Sequence, residues 1–449
     1  MARHSPDLFK NRSATQEFLY SHSDDGMDDQ TSPGILTGCD GNAAPRSHFA
    51  DMLDRTELLA FIDTHLHGAS KLCAIAVRFE WAAGVKADDE ARTALPEEAI
   101  IPIATICQRH RGAWSQIARN RITCVLPQLG AAEGRLAARH LLDAFQGEQR
   151  PLTTIGVATY PTINFTRSQT VENAEKALEH AGFIGPGTII DFDAVSLNIS
   201  GDRHYQAGDI AGAMAEYQKG LRLDPVDMNL HNSLGVCHGV LKDYDNALTA
   251  FDNAIWLSPQ EMMAIYNKGY ILLLKGKREQ ALECFLDADA REPNVFEVIF
   301  HLGQTFMEMG ATEKARPYLE AASRANRRSG PACKSLGRCL EMLGLTKEAI
   351  QAYKRAVKIN PVDAESLSIL GRLYSQRGES LDVASVLCEQ SVRLSPDNGI
   401  FRHRLGHVYL NQGKLGHALA EFELAVALGH DSQPQIAATQ DRMMEAKAS

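Results

Sequence analysis

Long hydrophobic runs are missing from this sequence. The longest largely apolar stretch, Ala99 to Cys107, is far shorter than a bilayer crossing and is interrupted by Pro102, so no membrane span is expected. The opening residues, MARHSPDLFKNRSATQ, carry scattered charges and no apolar core of the kind a secretory leader needs, and a cytoplasmic location is the expectation. Cysteine lacks order: nine residues, an odd number, with no CxxC pair and no Cys/His cluster at zinc spacing. That pattern points to reduced thiols and away from a disulfide frame or a metal site. Positive charge is also short. A formal net charge of -10 disfavours a general nucleic-acid binder, because phosphate contacts demand a concentrated basic face. Nothing in the composition implies a cofactor.

What is present suffices for two or three folding units, since 449 residues at 44% hydrophobic content can bury ordinary globular cores. Residues 1–48 mix Ser, Asp, Gly, Asn and Pro with little apolar periodicity, as in SHSDDGMDDQTSPG; such a segment buries too little to offset its ordering entropy and reads as a disordered tail. From Phe49 the composition changes. DRTELLAFIDTHL and EGRLAARHLLDAF read as helices, and CAIAVRFEW, RITCVLPQL and TTIGVATYP as buried strands. AEKALEHAGF reads as a short helix closed near Gly182 and Gly185. Strands mixed with helices over 49–192 indicate an α/β domain.

After Ala194 the strand-like runs stop and a repeat begins. Glycines recur at Gly201, Gly235, Gly269, Gly303, Gly337, Gly371 and Gly406, a spacing of 34 residues broken once by one extra residue. Alanines march in step at Ala213, Ala247, Ala281, Ala315, Ala349, Ala384 and Ala418. Four residues later come Tyr217, Phe251, Phe285, Leu319, Tyr353, Cys388 and Phe422, and prolines close most units at Pro225, Pro259, Pro293, Pro361 and Pro396. Glycine inside a helix costs about 1 kcal/mol against alanine, so a register of glycines needs a compensating close approach between helices. Seven helical hairpins over 194–432 follow, with the polar amphipathic stretch 433–449 as a helix covering the last face. Arg327 stands where the fourth closing proline is expected, and an extra residue lies between Gly378 and Ala384; both are expected to alter local geometry.

This pattern resembles the tetratricopeptide repeat, which implies an all-α solenoid that binds another polypeptide. Residues 50–192 resemble the GGDEF domain of diguanylate cyclases. LDRTELL is similar to that family's entry helix, IARNRITCVLP to its signature hairpin and following strand, TTIGVATYP to a later strand, and AEKALEHAGFIGPG to its closing helix. The resemblance also implies that catalysis has been lost. The signature reads Ala118-Arg119-Asn120-Arg121-Ile122, so its glycines and acids are replaced, and Gly182 falls where a phosphate-binding lysine is expected. The inhibitory motif keeps Arg109 but has Gly112 for its acid, and Glu80 is the one carboxylate on CAIAVRFEW. A metal-dependent phosphoryl transfer has little to work with. Arg119 and Arg121 remain as candidate contacts to a nucleotide phosphate.

Repeat stacks present the inner face of each first helix to a partner. Counting along the units places Tyr266, Tyr270 and Phe300 on that face in the third and fourth repeats, and Lys334, Arg338, Arg372, His403 and His407 in the fifth to seventh. An aromatic floor beside a basic shelf suits a protein or peptide with an acidic or free C-terminal carboxylate character, and hydrophobic grooves of this kind also allow a homodimer. The expectation is a non-enzymatic adaptor in bacterial signalling or assembly. The alternative is a cyclic di-GMP sensor or cyclase regulated by its repeats, and a role in carbohydrate or envelope assembly stays open, because the fold does not name the task.

Overall fold

The computed structural model describes residues 52–80, 97–146, 151–378 and 380–448. The tail expected over 1–48 lies outside them. The chain divides into two compact units, one ending at Asn267 and the other beginning at Lys268.

The first unit opens with β1 (Met52–Leu53), α1 (Arg55–His65), β2 (Leu72–Glu80), α2 (Glu97–His110), β3 (Ala113–Ala118) and β4 (Arg121–Pro127). It continues through α3 (Ala131–Ala144), β5 (Leu152–Tyr160), α4 (Gln169–Ile184) and β6 (Ile189–Asp191). The strands form one sheet in the order β1-β3-β4-β2-β5-β6. β2 is central and antiparallel to both β4 and β5, and β3 and β4 form a hairpin. Alternation along β2 explains its continuous apolar run. Cys73, Ile75, Val77 and Phe79 face a core completed by α2 and α3, while Leu72, Ala74 and Ala76 face α1 and α4, so both faces are buried. α4 seats closely on β5: a Cβ at Gly156 would lie 2.1 Å from the Leu178 amide nitrogen.

Only helices follow. α5 (Ala194–Gln206) with α6 (Ile210–Leu223), and α7 (Met228–Val240) with α8 (Tyr244–Leu257), are hairpins of the first unit. The unit boundary falls within α9 (Met262–Leu274), which is followed by α10 (Arg278–Arg291). The second unit adds α11 (Phe296–Glu308), α12 (Thr312–Ala325), α13 (Gly330–Met342), α14 (Thr346–Ile359) and α15 (Ala364–Gln376). It ends with α16 (Leu381–Leu394), α17 (Gly399–Asn411), α18 (Leu415–Ala427) and α19 (Gln433–Ala448), which packs on α18.

The glycine register does what close approach requires. A Cβ at Gly201 would lie 2.2 Å from the Tyr217 ring, at Gly235 2.5 Å from Phe251, and at Gly406 2.7 Å from Phe422. The alanines of the register are fully buried. Each first helix ends on a residue with positive φ, among them Gly208, Lys242, Gly276, Gly310 and Gly344. Its amide and the next one bond back into the helix, as Gly276 N to Leu273 O at 2.9 Å and Lys277 N to Leu272 O at 2.9 Å. That is the Schellman pattern, which satisfies the last carbonyls and reverses the chain. Asp193, Asp227, Ser329, Asp363 and Asn398, in the same register, cap the N-termini of first helices with their side chains.

Two departures from the repeat have different outcomes. α12 ends at Ala325 although Arg327 replaces the proline, and its cap Asn326 has φ -118 and ψ 93, close to φ -123 and ψ 93 at Asn360 before Pro361. The proline is therefore dispensable for stopping this helix. At the extra residue, Ser380 takes a left-handed conformation, φ 50, as the N-cap of α16.

Candidate functional site

The first-helix residues fall into two rows fixed by the glycine. Residues three before it share its helix face: Tyr266, Phe300, Lys334 and His403. Residues one after it are Tyr270, Arg338, Arg372 and His407. Packing then sorts them by size and polarity. Tyr266 and Phe300 are fully buried and Tyr270 nearly so, so the aromatic floor expected from the sequence is core. In the second unit Phe300 stacks on Phe296 at 5.7 Å and touches His301, which also packs edge-on to Tyr270 at 5.3 Å. The reason is the glycine itself, which draws in helices that cover the neighbouring positions of its face.

The cations of the second unit stay at the surface, but most are engaged. Lys334 Nζ lies 2.6 Å from Glu365 Oε2 and 3.6 Å from Asp363 Oδ1, and its pKa is raised because, against burial, these two carboxylates win. Arg372 donates to Glu341 Oε1 at 2.5 Å and to Gln376 Oε1 at 3.0 Å. Arg338 is exposed; among the described residues no ion pair or side-chain hydrogen bond engages it. One cation escaped the sequence reading. Arg404, half-buried on α17, donates to Ser368 Oγ at 3.3 Å, and burial, then the nearby Arg372, lowers its pKa. Its signal was present, because it follows His403 directly on the same helix.

At the end of this row His403 and His407 meet, Nε2 to Nε2 at 3.2 Å, and His403 Nδ1 shares a 2.7 Å hydrogen bond with Ser432 Oγ. Both rings pack against Phe422. Burial, then neighbouring positive groups, holds His403 down to about 4, so it is neutral at physiological pH.

In the first unit polar side chains link successive first helices: Ser233 Oγ to Asn198 Oδ1 at 3.3 Å and Asn267 Nδ2 to Asn232 Oδ1 at 3.2 Å. The candidate phosphate contacts also lie here and are not gathered at a free site. Arg119 is exposed in the β3–β4 turn. Arg121 donates to Glu179 Oε1 at 2.5 Å. Arg78 and Arg203 reach the other oxygen of Glu179 at 3.6 and 2.6 Å. The bonds from Arg203 and Arg121 outweigh burial and lower the Glu179 pKa. A Cβ at Gly182 would meet Arg78 Nη2 at 2.1 Å, so that guanidinium fills the space a longer side chain would need. Gly112 has a similar reason: a Cβ there would lie 2.2 Å from the Val125 carbonyl oxygen. Glu80 pairs with Arg78 Nε at 3.0 Å. No group of three His, Cys, Asp or Glu side chains among the described residues is arranged to hold a metal ion, and no described helix is long and apolar enough to cross a membrane.

Family models described as tetratricopeptide repeat match residues 300–364, 264–295 and 401–428, and one described as TPR repeat matches 201–239. Over these residues the hairpins are tetratricopeptide repeats. Curated relatives match this chain at low identity. The BBSome complex member BBS4 of Bos taurus is 22% identical over 258 residues, 57% of this chain and 48% of its own length. The aspartyl/asparaginyl beta-hydroxylase of Homo sapiens is 26% identical over 136 residues, 30% of this chain and 18% of its own. The chain thus spans less than half the length of either. Among solved structures, YrrB, a TPR protein with an unusual peptide-binding site, has a TM-score of 0.39 at 20% identity over 42% of this chain and 96% of its own. The pilF protein of Pseudomonas aeruginosa has a TM-score of 0.43 at 22% identity over 46% of this chain and 95% of its own.

Proposed function

We propose that this tetratricopeptide-repeat protein is a non-enzymatic scaffold that holds a protein or peptide partner on the first-helix faces of α13, α15 and α17. The observation that carries the reading is Arg338, an exposed guanidinium with no carboxylate partner among the described residues, in the row that continues to Arg372 and His407. A free guanidinium beside cations already oriented by Glu341 and Glu365 favours an acidic segment or a C-terminal carboxylate, which it can bind through two parallel hydrogen bonds. The α/β region then serves as a degenerate GGDEF-type head. This is supported by the signature position falling at the β3–β4 turn and by Arg121 and Glu179 neutralising each other. The setting is cytoplasmic signalling or assembly in a bacterium, with a homodimer compatible with the exposed repeat faces.

The test uses fluorescence anisotropy of the full chain with two peptide sets, acidic with free C-termini and neutral with amidated C-termini. Acidic peptides bind more tightly, and Arg338→Glu weakens them by about tenfold while leaving neutral ones unchanged. Equal affinity for both sets, or indifference to Arg338→Glu, sinks the reading.

A further inference from the structure

We infer that His403 and His407 form a two-imidazole chelate for a divalent transition-metal ion such as Zn2+, at the end of the second unit. The inference goes beyond peptide binding and does not need it.

The spacing comes first. The two histidines stand four residues apart on α17, so their side chains rise from the same face one turn apart. Their Nε2 atoms lie 3.2 Å from each other. A metal bonded to two imidazole nitrogens at about 2.1 Å, with an angle between octahedral and tetrahedral, requires a separation of roughly 3.0 to 3.4 Å. The separation of the pair is therefore the bite of a chelate.

Orientation comes second. Ser432 Oγ holds His403 Nδ1 at 2.7 Å. With Nδ1 as the donor, Nε2 carries the free lone pair, the outer-shell arrangement that fixes a ligating imidazole. His407 Nε2 shares its proton with that lone pair in the empty state. On metal binding this proton moves to His407 Nδ1, both rings stay neutral, and no net proton is released. The Phe422 ring, 5.6 Å from His403 and 5.2 Å from His407, limits the movement of both.

Imidazole nitrogen suits zinc, copper and nickel rather than calcium or magnesium. Water completes the coordination sphere, since among the described residues no third His, Cys, Asp or Glu side chain joins the pair. His430, with its ring 4.5 Å from that of His403, is a neighbour and not a ligand.

The experiment titrates Zn2+, and separately Mg2+, into tag-free full-length protein by calorimetry, and follows thermal unfolding in parallel. The expected result is one zinc site with no magnesium binding and a rise in Tm with zinc. His407→Gln abolishes the site, and Ser432→Ala weakens it about tenfold through loss of the orienting bond. His403→Gln serves as a second ligand variant should His407→Gln unfold. His430→Gln leaves affinity unchanged. Absence of a one-to-one zinc site, or zinc binding that survives both ligand substitutions, overturns the inference. So does a loss on His430→Gln equal to that on His407→Gln.

Discussion

At Gly235 a methyl group would sit 2.5 Å from the Phe251 ring, which is itself fully buried and cannot retreat. Gly235→Ala should therefore destabilise by about 1 to 3 kcal/mol through overpacking. Gly416, in the first turn of α18, has nothing within 4 Å of the same added atom, so Gly416→Ala should stabilise by about 0.5 to 1 kcal/mol by restricting the unfolded chain. Denaturant unfolding of the two variants checks the contrast, and matching signs would remove close packing as the reason for the glycine register. A second residue-scale prediction concerns His301. Its Nδ1–H donates to the Glu297 carbonyl at 2.9 Å, and complete burial, opposed weakly by that bond, lowers its pKa to about 4. The unfolded chain takes up this proton near pH 6.5, before the folded chain does. Stability is thus full above that value and declines as pH falls from about 6.5 towards 4, losing about 2 kcal/mol between pH 7 and pH 5. His301→Gln should flatten this part of the profile in urea unfolding at the two pH values.

For the elements, the turn after each first helix offers a cleaner test than any core position, because backbone conformation is isolated there from packing. Gly276 has φ 74 with open space around its missing side chain, so Gly276→Ala should cost about 1 to 2 kcal/mol from left-handed strain alone. Lys242 occupies the same place with φ 60, and Lys242→Gly should relieve strain rather than add it. A pair of melting curves moving in the same direction would refute the argument. This turn register went unread in the sequence, although Gly208, Gly276, Gly310 and Gly344 keep the same 34-residue step as the helix-crossing glycines. The hairpins themselves were legible because seven copies repeat one packing solution. In the α/β region β2, β4 and β5 were legible as largely apolar runs, since burial on both faces leaves few charged interruptions. α2 was not, because Pro102 interrupts its pattern, and β6, at three residues, is too short to carry one. At the candidate site the register placed these residues on first helices, but gave neither the burial of Tyr266 and Phe300 nor the acids that engage Lys334 and Arg372. Those depend on neighbouring hairpins some 30 residues away, which local pattern does not encode.

For the molecule as a whole, composition draws a boundary near residue 193, where strands give way to repeats, but charge and packing carry the first unit past it. α4 packs against α5. Lys176 Nζ lies 2.6 Å from Glu216 Oε2 on α6, with both side chains largely buried, and Arg203 of α5 donates to Glu179 of α4 at 2.6 Å. A buried pair that loses one partner leaves a charge without compensation, a loss of about 3 to 5 kcal/mol in a closed interior, and less where the cut also admits water. A fragment of residues 49–193 removes both partners and uncovers the apolar face of α4. A fragment of residues 49–258 keeps both and exposes α8 instead. The shorter fragment should therefore melt below the longer one by roughly 5 °C or more, given about 2 to 4 °C per kcal/mol for chains of this size. If the two melt together in calorimetry, the ion pairs contribute nothing to holding the first hairpin and the α/β region folds independently of the repeats. If they differ as expected, Glu179 and Lys176 serve as the joint between the sheet and its first hairpin, and that use accounts for a guanidinium at position 121 and a carboxylate at 179.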